Sequence, residues 1–291
     1  MKTWRYPLHF IDFETTMAAI PFSSGRRPYE QTAFQFSHHV VYEDGTIEHK
    51  DQYLNLKKGI FPNFEFVRAL RTAIGGDDGT VFKFATHENT VLCQIRKQLQ
   101  ASKEADRAQL IEWIEVITHG EDGEYTWTGP RDMVDMCELV KKYFYHPDTN
   151  GSNSIKKVLP AILGSSTYLQ KKYSGPSYGA SKGIKSLNFR DWRWLQMDRN
   201  GRVLDPYKLL GPVFSDMSAV DLDLLVKADS IADGGAAMSA YARMQFSEMS
   251  DVEVDKVGNA LLRYCELDTF AMVMIYEHWK SEIAKILGKA T

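Results

Sequence analysis

No apolar stretch approaches the roughly 20 residues a helix needs to cross a bilayer, so a helical membrane span is excluded. Cysteine is scarce: Cys93, Cys137 and Cys265 lie in separate segments. An odd count argues against a closed disulfide framework, the spacing does not suggest a zinc knuckle or a redox pair, and the three thiols read as small, partly buried apolar residues. The first residues run through Pro7 into a strand-like segment without the apolar region of a signal peptide, so a cytoplasmic protein is expected. Charge of one sign is also lacking. A formal net charge of −3 supplies no global cationic field, and a polyanionic partner would have to be met by a local basic surface. There is no Gly-x-x-x-x-Gly-Lys phosphate loop and no spaced serine–histidine set, which argues against ATP use and a serine hydrolase. Internal repeats and low-complexity tracts are absent.

What is present is ordinary for a folded domain: 44% apolar and 25% charged residues over 291 positions, enough for one large core. Residues 8–15 read as a short strand ending in acidic groups, and 31–42 as a second strand. Asp44-Gly45 is a hairpin signal that returns 47–54 antiparallel. Helical periodicity marks 63–72, 89–99, 108–117 and 133–143, with a strand at 80–86 and a brief extended piece at 125–127. Two further helices are expected at 236–249 and 254–289. Strands first, with helices beside them, predict an α/β fold whose mixed central sheet is flanked by helices, and the early antiparallel strands argue against a pure doubly wound sheet. The whole of 1–291 reads as one domain. Within it, 151–211 is an elaboration of irregular backbone, marked by Gly175-Pro176 and Gly179.

That elaboration carries an uneven charge. Between Asn153 and Arg202 ten Lys and Arg residues face only Asp191 and Asp198, with Tyr168, Tyr173, Tyr178, Phe189, Trp192 and Trp194 interleaved. Two readings stand. Cations such as Lys156, Lys157, Lys182, Lys185, Arg190 and Arg193 can attract phosphates while the rings stack on exposed bases. Alternatively, the segment is a solvated surface with aromatic anchors beneath it.

The sharpest chemical signal is Asp12-Phe13-Glu14. Period-two geometry puts both carboxylates on one side of the strand, with Ile11 and Phe13 on the other. Adjacent carboxylates repel, and a divalent cation resolves the conflict. A second signal is Tyr264-Cys265-Glu266-Leu267-Asp268, in which Tyr264 and Asp268 share one helical face. Each pattern is common alone; a surface pair and a core tyrosine are the ordinary explanations.

Together they resemble the DEDD (DnaQ-like) 3′–5′ exonucleases, in the branch that carries an N-terminal Asp-x-Glu and a C-terminal Tyr-x-x-x-Asp. More narrowly, Ile11 to Thr15, Arg27-Pro28-Tyr29 with Phe34-Gln35-Phe36, Ser154 to Pro160, Gly234 to Ala237 and Tyr264 to Thr269 resemble a bacterial domain family of unknown function, over roughly residues 8 to 278. The resemblance implies a ribonuclease H-like core and a further acid after a middle strand. Glu88 is the match, in place of the usual aspartate; Asp135 is the competing acid, either supporting the site or starting a helix. His87 is a supporting polar group, not a replacement for Tyr264.

The resemblance further implies hydrolysis of DNA or RNA phosphodiesters assisted by two ions, Mg²⁺ or Mn²⁺. Asp12 would contact both ions, Glu14 and Asp268 the water-activating one, and Glu88 the second. Tyr264 would orient the attacking water, since a phenol of pKa ~10 is a poor base at neutral pH. Single-stranded or frayed 3′ ends are the expected substrate, with no membrane partner. Two other readings remain open: a catalytically weak nucleic-acid-binding module of the same fold, and a phosphoesterase acting on nucleotides.

Overall fold

Strand β1 (Leu8–Thr16) is sandwiched, and its alternation sorts two cores. Ile11 and Phe13 pack with Phe64, Phe66 and Leu92 on one side, while Leu8 and Phe10 pack with Phe270 and Tyr276 on the other. In the computed structural model, which describes residues 1–210 and 234–288, β1 pairs antiparallel with β2 (Thr32–Val41), and β2 with β3 (Ile47–Leu54). On its other edge β1 pairs in parallel with β4 (Val81–Lys83). Two short strands, β5 (His119–Asp122) and β6 (Tyr125–Thr128), form a separate hairpin, and β7 (Val134–Asp135) completes the main sheet beside β4. The sheet order is therefore β3-β2-β1-β4-β7, a mixed sheet as the sequence implied.

One face is covered by α1 (Asn63–Ile74), α2 (His87–Gln100) and α3 (Arg107–Ile117), whose Val67, Leu70, Val91, Ile95 and Ile114 make the first core. Next along the chain come α4 (Met136–Tyr143), α5 (Ile155–Ser165), α6 (Thr167–Tyr173), α7 (Pro206–Leu209) and α8 (Gly234–Phe246). The other face of the sheet carries α9 (Asp251–Ile286). This helix starts at a capping box, Ser250 with Glu253, as a polar N-cap and a glutamate three residues on dictate. Among the described residues no helix is long and apolar enough to cross a membrane. Gly211 and Lys289, the outer ends of two sequence-based ranges, lie outside the described residues.

From Tyr264 to Glu277 every residue of α9 is buried. A helix apolar around its circumference needs cover on both sides, and the sheet supplies only one. Residues 155–195 supply the other: Val158, Leu159, Leu163, Leu169, Tyr173, Tyr178, Phe189 and Trp194 close over Phe270, Val273 and Met274. This decides between the two readings of the segment. Its backbone is irregular between α6 and α7, where Gly175-Pro176 and Gly179 lie, while helices flank that stretch, and most of its rings are buried anchors rather than displayed for stacking. Tyr173, Tyr178, Phe189 and Trp194 are each 2% exposed or less.

A polar network fastens this cover to α9. Glu266, fully buried, accepts hydrogen bonds from Tyr178 Oη (2.6 Å), Ser186 Oγ (2.5 Å) and Asn188 Nδ2 (2.7 Å), and lies 3.1 Å from His49. Gly183 is required in the turn beneath, because a Cβ there would sit 1.8 Å from the Ser177 carbonyl oxygen.

Candidate metal centre

Asp12 and Glu14 project from β1 toward α9, on the side opposite Ile11 and Phe13, as period two demands. The buried segment of α9 brings Cys265 and Asp268 to meet them. Candidate ligand atoms of Asp12, Glu14 and Cys265 all lie within 4.8 Å of one another. The Cys265 thiol donates to the Asp12 carbonyl and to Asp12 Oδ2, at 3.6 and 3.5 Å. Burial, then the charges of Asp268, Glu88 and Glu14, push the Asp12 carboxyl well above the usual carboxylate range. Burial and then Asp268 do the same to Glu14, partly offset by Lys156. Four carboxylates from β1, α2 and α9 thus crowd one low-dielectric site.

Glu88 reaches this cluster from the first turn of α2, 1% exposed. Its helix starts at His87, two residues before the sequence-based boundary, which places Glu88 inside the helix. Burial pushes its carboxyl up to about 8, although its own amide and that of Phe13 donate to it. One oxygen, Oε2, is buried without a hydrogen-bond partner. An unsatisfied carboxylate oxygen among three other acids is the donor set expected of a hard divalent cation, so the residues fit a metal centre.

Asp135 plays the other part. Helix α4 starts at Met136 rather than at 133, and Asp135 is its N-cap. Its Oδ1 accepts from the amides of Cys137 (2.8 Å), Glu138 (3.2 Å) and Ala85 (3.0 Å), while Oδ2 pairs with Lys83 Nζ at 3.1 Å. Lys83 also donates to the Ala85 carbonyl at 2.6 Å. Ala85 has φ 73°, a left-handed conformation disfavoured for a residue with a Cβ. The Lys83–Asp135 pair therefore clamps the strained peptide that turns β4 into α2 and aims Glu88. His87 hydrogen-bonds Thr15 Oγ1 through Nε2 at 3.1 Å, tying the same turn to the end of β1.

The aromatic side of the site comes from residues far apart in the chain. Tyr264 accepts a hydrogen bond from Lys156 of α5, whose ammonium lies 4.9 Å from the Tyr264 ring and 5.3 Å from the Tyr207 ring. Tyr207 of α7 donates to Asp268 Oδ1 at 2.5 Å. Tyr207 carried no sequence signal, because nothing local links α7 to a residue 61 positions later. Cys265 did carry one that was passed over: three residues before Asp268, it shares that residue's helical face. Of the other basic candidates, Lys157, Lys182 and Arg193 are exposed. Lys185 pairs with Glu48 at 3.3 Å, and Arg190 donates to the carbonyls of Ser186 and Phe189 in its own loop.

A family model covers residues 9–154, half of the sequence. The chain belongs to the DUF2779 family. That family is described only as a domain of unknown function. No curated protein and no solved structure matches the chain. The DUF2779 match includes Asp12, Glu14, Glu88 and Asp135 but ends before Lys156, Tyr207, Tyr264 and Asp268, and so is shorter than the 8–278 span of the resemblance.

Proposed function

We propose that this DUF2779 chain is a metal-dependent 3′–5′ exonuclease acting on phosphodiesters of DNA or RNA, in the DEDD superfamily with a ribonuclease H-like core. One observation carries the reading: Asp12, Glu14, Glu88 and Asp268, spread over more than 250 residues, converge in one buried cluster where Glu88 has an oxygen without a partner. The mixed sheet flanked by helices is compatible with that core.

Asp12, Glu14 and Asp268 would hold one ion, and Asp12 with Glu88 a second, as Mg²⁺ or Mn²⁺. Such ions supply Lewis-acid activation of water and neutralise charge on the leaving oxygen. The chain's own groups set the geometry. Tyr264 orients the nucleophile, Tyr207 fixes the Asp268 carboxylate through its 2.5 Å hydrogen bond, and the Lys83–Asp135 clamp holds the turn bearing Glu88.

Asp12→Asn and Asp268→Asn are expected to reduce metal-dependent shortening of a labelled strand by about a thousandfold or more, in line with losing a group that acts on transition-state charge. Their melting temperatures should match or exceed that of the wild type, because each removes repulsion from the metal-free cluster. Full activity in either folded variant rejects the assignment. A second reading gains from the buried rings: with Tyr173, Tyr178 and Trp194 in the core, the stacking argument for long single strands falls away, and a nucleotide phosphoesterase needs none. Release of phosphate from mononucleotides, with strands left intact, would select it.

A further inference from the structure

The three thiols differ in what they touch. Cys93 and Cys137 donate to the backbone carbonyls of His119 and Asn153. Cys265, fully buried on α9, donates to a carboxylate oxygen, Asp12 Oδ2, at 3.5 Å as well as to the Asp12 carbonyl. Glu14 completes the group, since ligand atoms of Asp12, Glu14 and Cys265 all lie within 4.8 Å of one another. Glu88 is independent evidence that hydrogen bonds within the chain do not complete this site. It is 1% exposed, its charge acts on Asp12 and Glu14, and its Oε2 has no hydrogen-bond partner.

The donor atoms decide which ion each set suits. Carboxylates alone favour a hard ion such as Mg²⁺ or Mn²⁺, whereas a thiolate among them favours a softer one such as Zn²⁺. Geometry points the same way. A tetrahedral ion bound to sulfur at about 2.3 Å and to oxygen at about 2.1 Å holds those two atoms about 3.6 Å apart, while right-angled ligands of an octahedral ion at the same bond lengths stand about 3.1 Å apart. The 3.5 Å over which the Cys265 thiol donates to Asp12 is thus also the edge of a tetrahedral site. Three protein ligands leave the fourth position of such an ion for water.

We propose that Cys265 is a metal ligand, and that with Asp12 and Glu14 it gives the acid cluster a second, sulfur-containing mode that binds one Zn²⁺ in place of the Mg²⁺ or Mn²⁺ pair. Binding exchanges the thiol proton, released to solvent, for the sulfur–zinc bond, with no change of oxidation state. Asp12 and Glu14 belong to both modes, so the two kinds of ion compete, and Zn²⁺ displaces the ions that hydrolysis uses. The sulfur mode rests on the metal centre of the exonuclease reading but not on its substrate.

The test adds Co²⁺, a coloured stand-in for Zn²⁺, to the chelator-treated full chain of wild type, Cys265→Ser and Cys265→Ala. Melting curves are run on all three proteins, and the second variant keeps the test informative if the first impairs folding. Wild type should develop the near-ultraviolet charge-transfer absorption of a cobalt–thiolate bond, and Zn²⁺ should erase it. Both variants should lack that band. They should also bind Zn²⁺ more weakly by about a hundredfold or more, since even an outer partner of a metal ligand is worth about ten- to a hundredfold. Their Mn²⁺ affinity should change by less than about threefold, because a hard ion gains little from sulfur. Cobalt bound by wild type without the band, or a band that persists in both variants, would overturn the proposal. Zn²⁺ should suppress Mn²⁺-driven shortening of a labelled strand in wild type and far less in Cys265→Ser; equal suppression in both would also overturn it. A Cys265-dependent band in a protein that never shortens a strand would uphold the sulfur ligand and reject the exonuclease reading, and shortening by a protein that shows no band would do the reverse.

Discussion

A carboxylate oxygen buried away from every donor is destabilising unless something else meets it, and among the described carboxylates Glu88 has such an oxygen. Its carboxyl titrates near 8, above the ordinary value of 4.5, so the folded state retains a proton that the unfolded chain has lost. Stability from this group is therefore lost as pH rises from about 4.5 through 8. Glu88→Gln should melt higher than the metal-free wild type at pH 8.5, by roughly 3 °C or more. The gap should close below pH 6, and the variant should bind Mn²⁺ more weakly. A calorimetric pH series checks this; a variant that melts lower at pH 8.5 would mean that the lone oxygen is satisfied. Sequence reasoning could place Glu88 and Asp135 as rivals but could not choose between them. The choice is made by three amide donors and Lys83 saturating Asp135, and those partners come from β4, α4 and the turn between β4 and α2.

At the scale of elements, periodicity revealed most of the helices and strands because each buries a distinct face. It found β4 but carried it three residues too far, and it failed where a strand is only two residues long, as in β7, and where a helix begins at a pinned turn rather than at a polar cap. Helix α9 shows both a legible end and an illegible middle. Its capping box is written in Ser250 and Glu253, whereas the side of the helix that meets the sheet is not readable from a stretch apolar all round. Ser250→Ala should cost about 1 kcal/mol and loosen amide protection over the first turn. Asp268 lies about five turns further along, so catalysis and metal affinity should be unchanged. Loss of activity in this variant would show that the end of the helix transmits strain to the site. The basic, aromatic segment was legible as a composition but not as a structure: its rings cover α9, while several of its cations remain outside.

For the whole molecule, the sheet is crossed by a chain of buried polar groups that makes it sensitive to acid. His9 Nδ1 lies 3.0 Å from His38 Nε2; His9 also contacts Asp77 at 2.9 Å, and His38 contacts Asp51 at 3.0 Å. Burial, then the neighbouring His38, lowers His9 from 6.5 to about 4, and burial lowers His38 and His39 as well. The folded state keeps these rings neutral while the unfolded chain protonates them. Stability is therefore present above pH 6.5 and lost as pH falls toward 4, by on the order of 3 kcal/mol from His9 alone. Melting temperature should drop across that window, and His9→Asn should flatten the slope; a flat wild-type profile from pH 7 to 4.5 would contradict it. Glu88 acts with the opposite sign, so the two single variants separate the contributions. Local sequence by itself determined the alternation of β1, the paired acids on one of its faces, the hairpin, the capping box and the shared face of Tyr264 and Asp268, because each depends on contacts a few residues apart. Only tertiary structure decided that Glu88 rather than Asp135 joins the acids, that Lys156, Tyr207 and Cys265 stand beside them, and that Tyr173, Tyr178, Phe189 and Trp194 are core. Those outcomes depend on which distant surfaces must be covered, and burial of one element by another is a property of the folded whole.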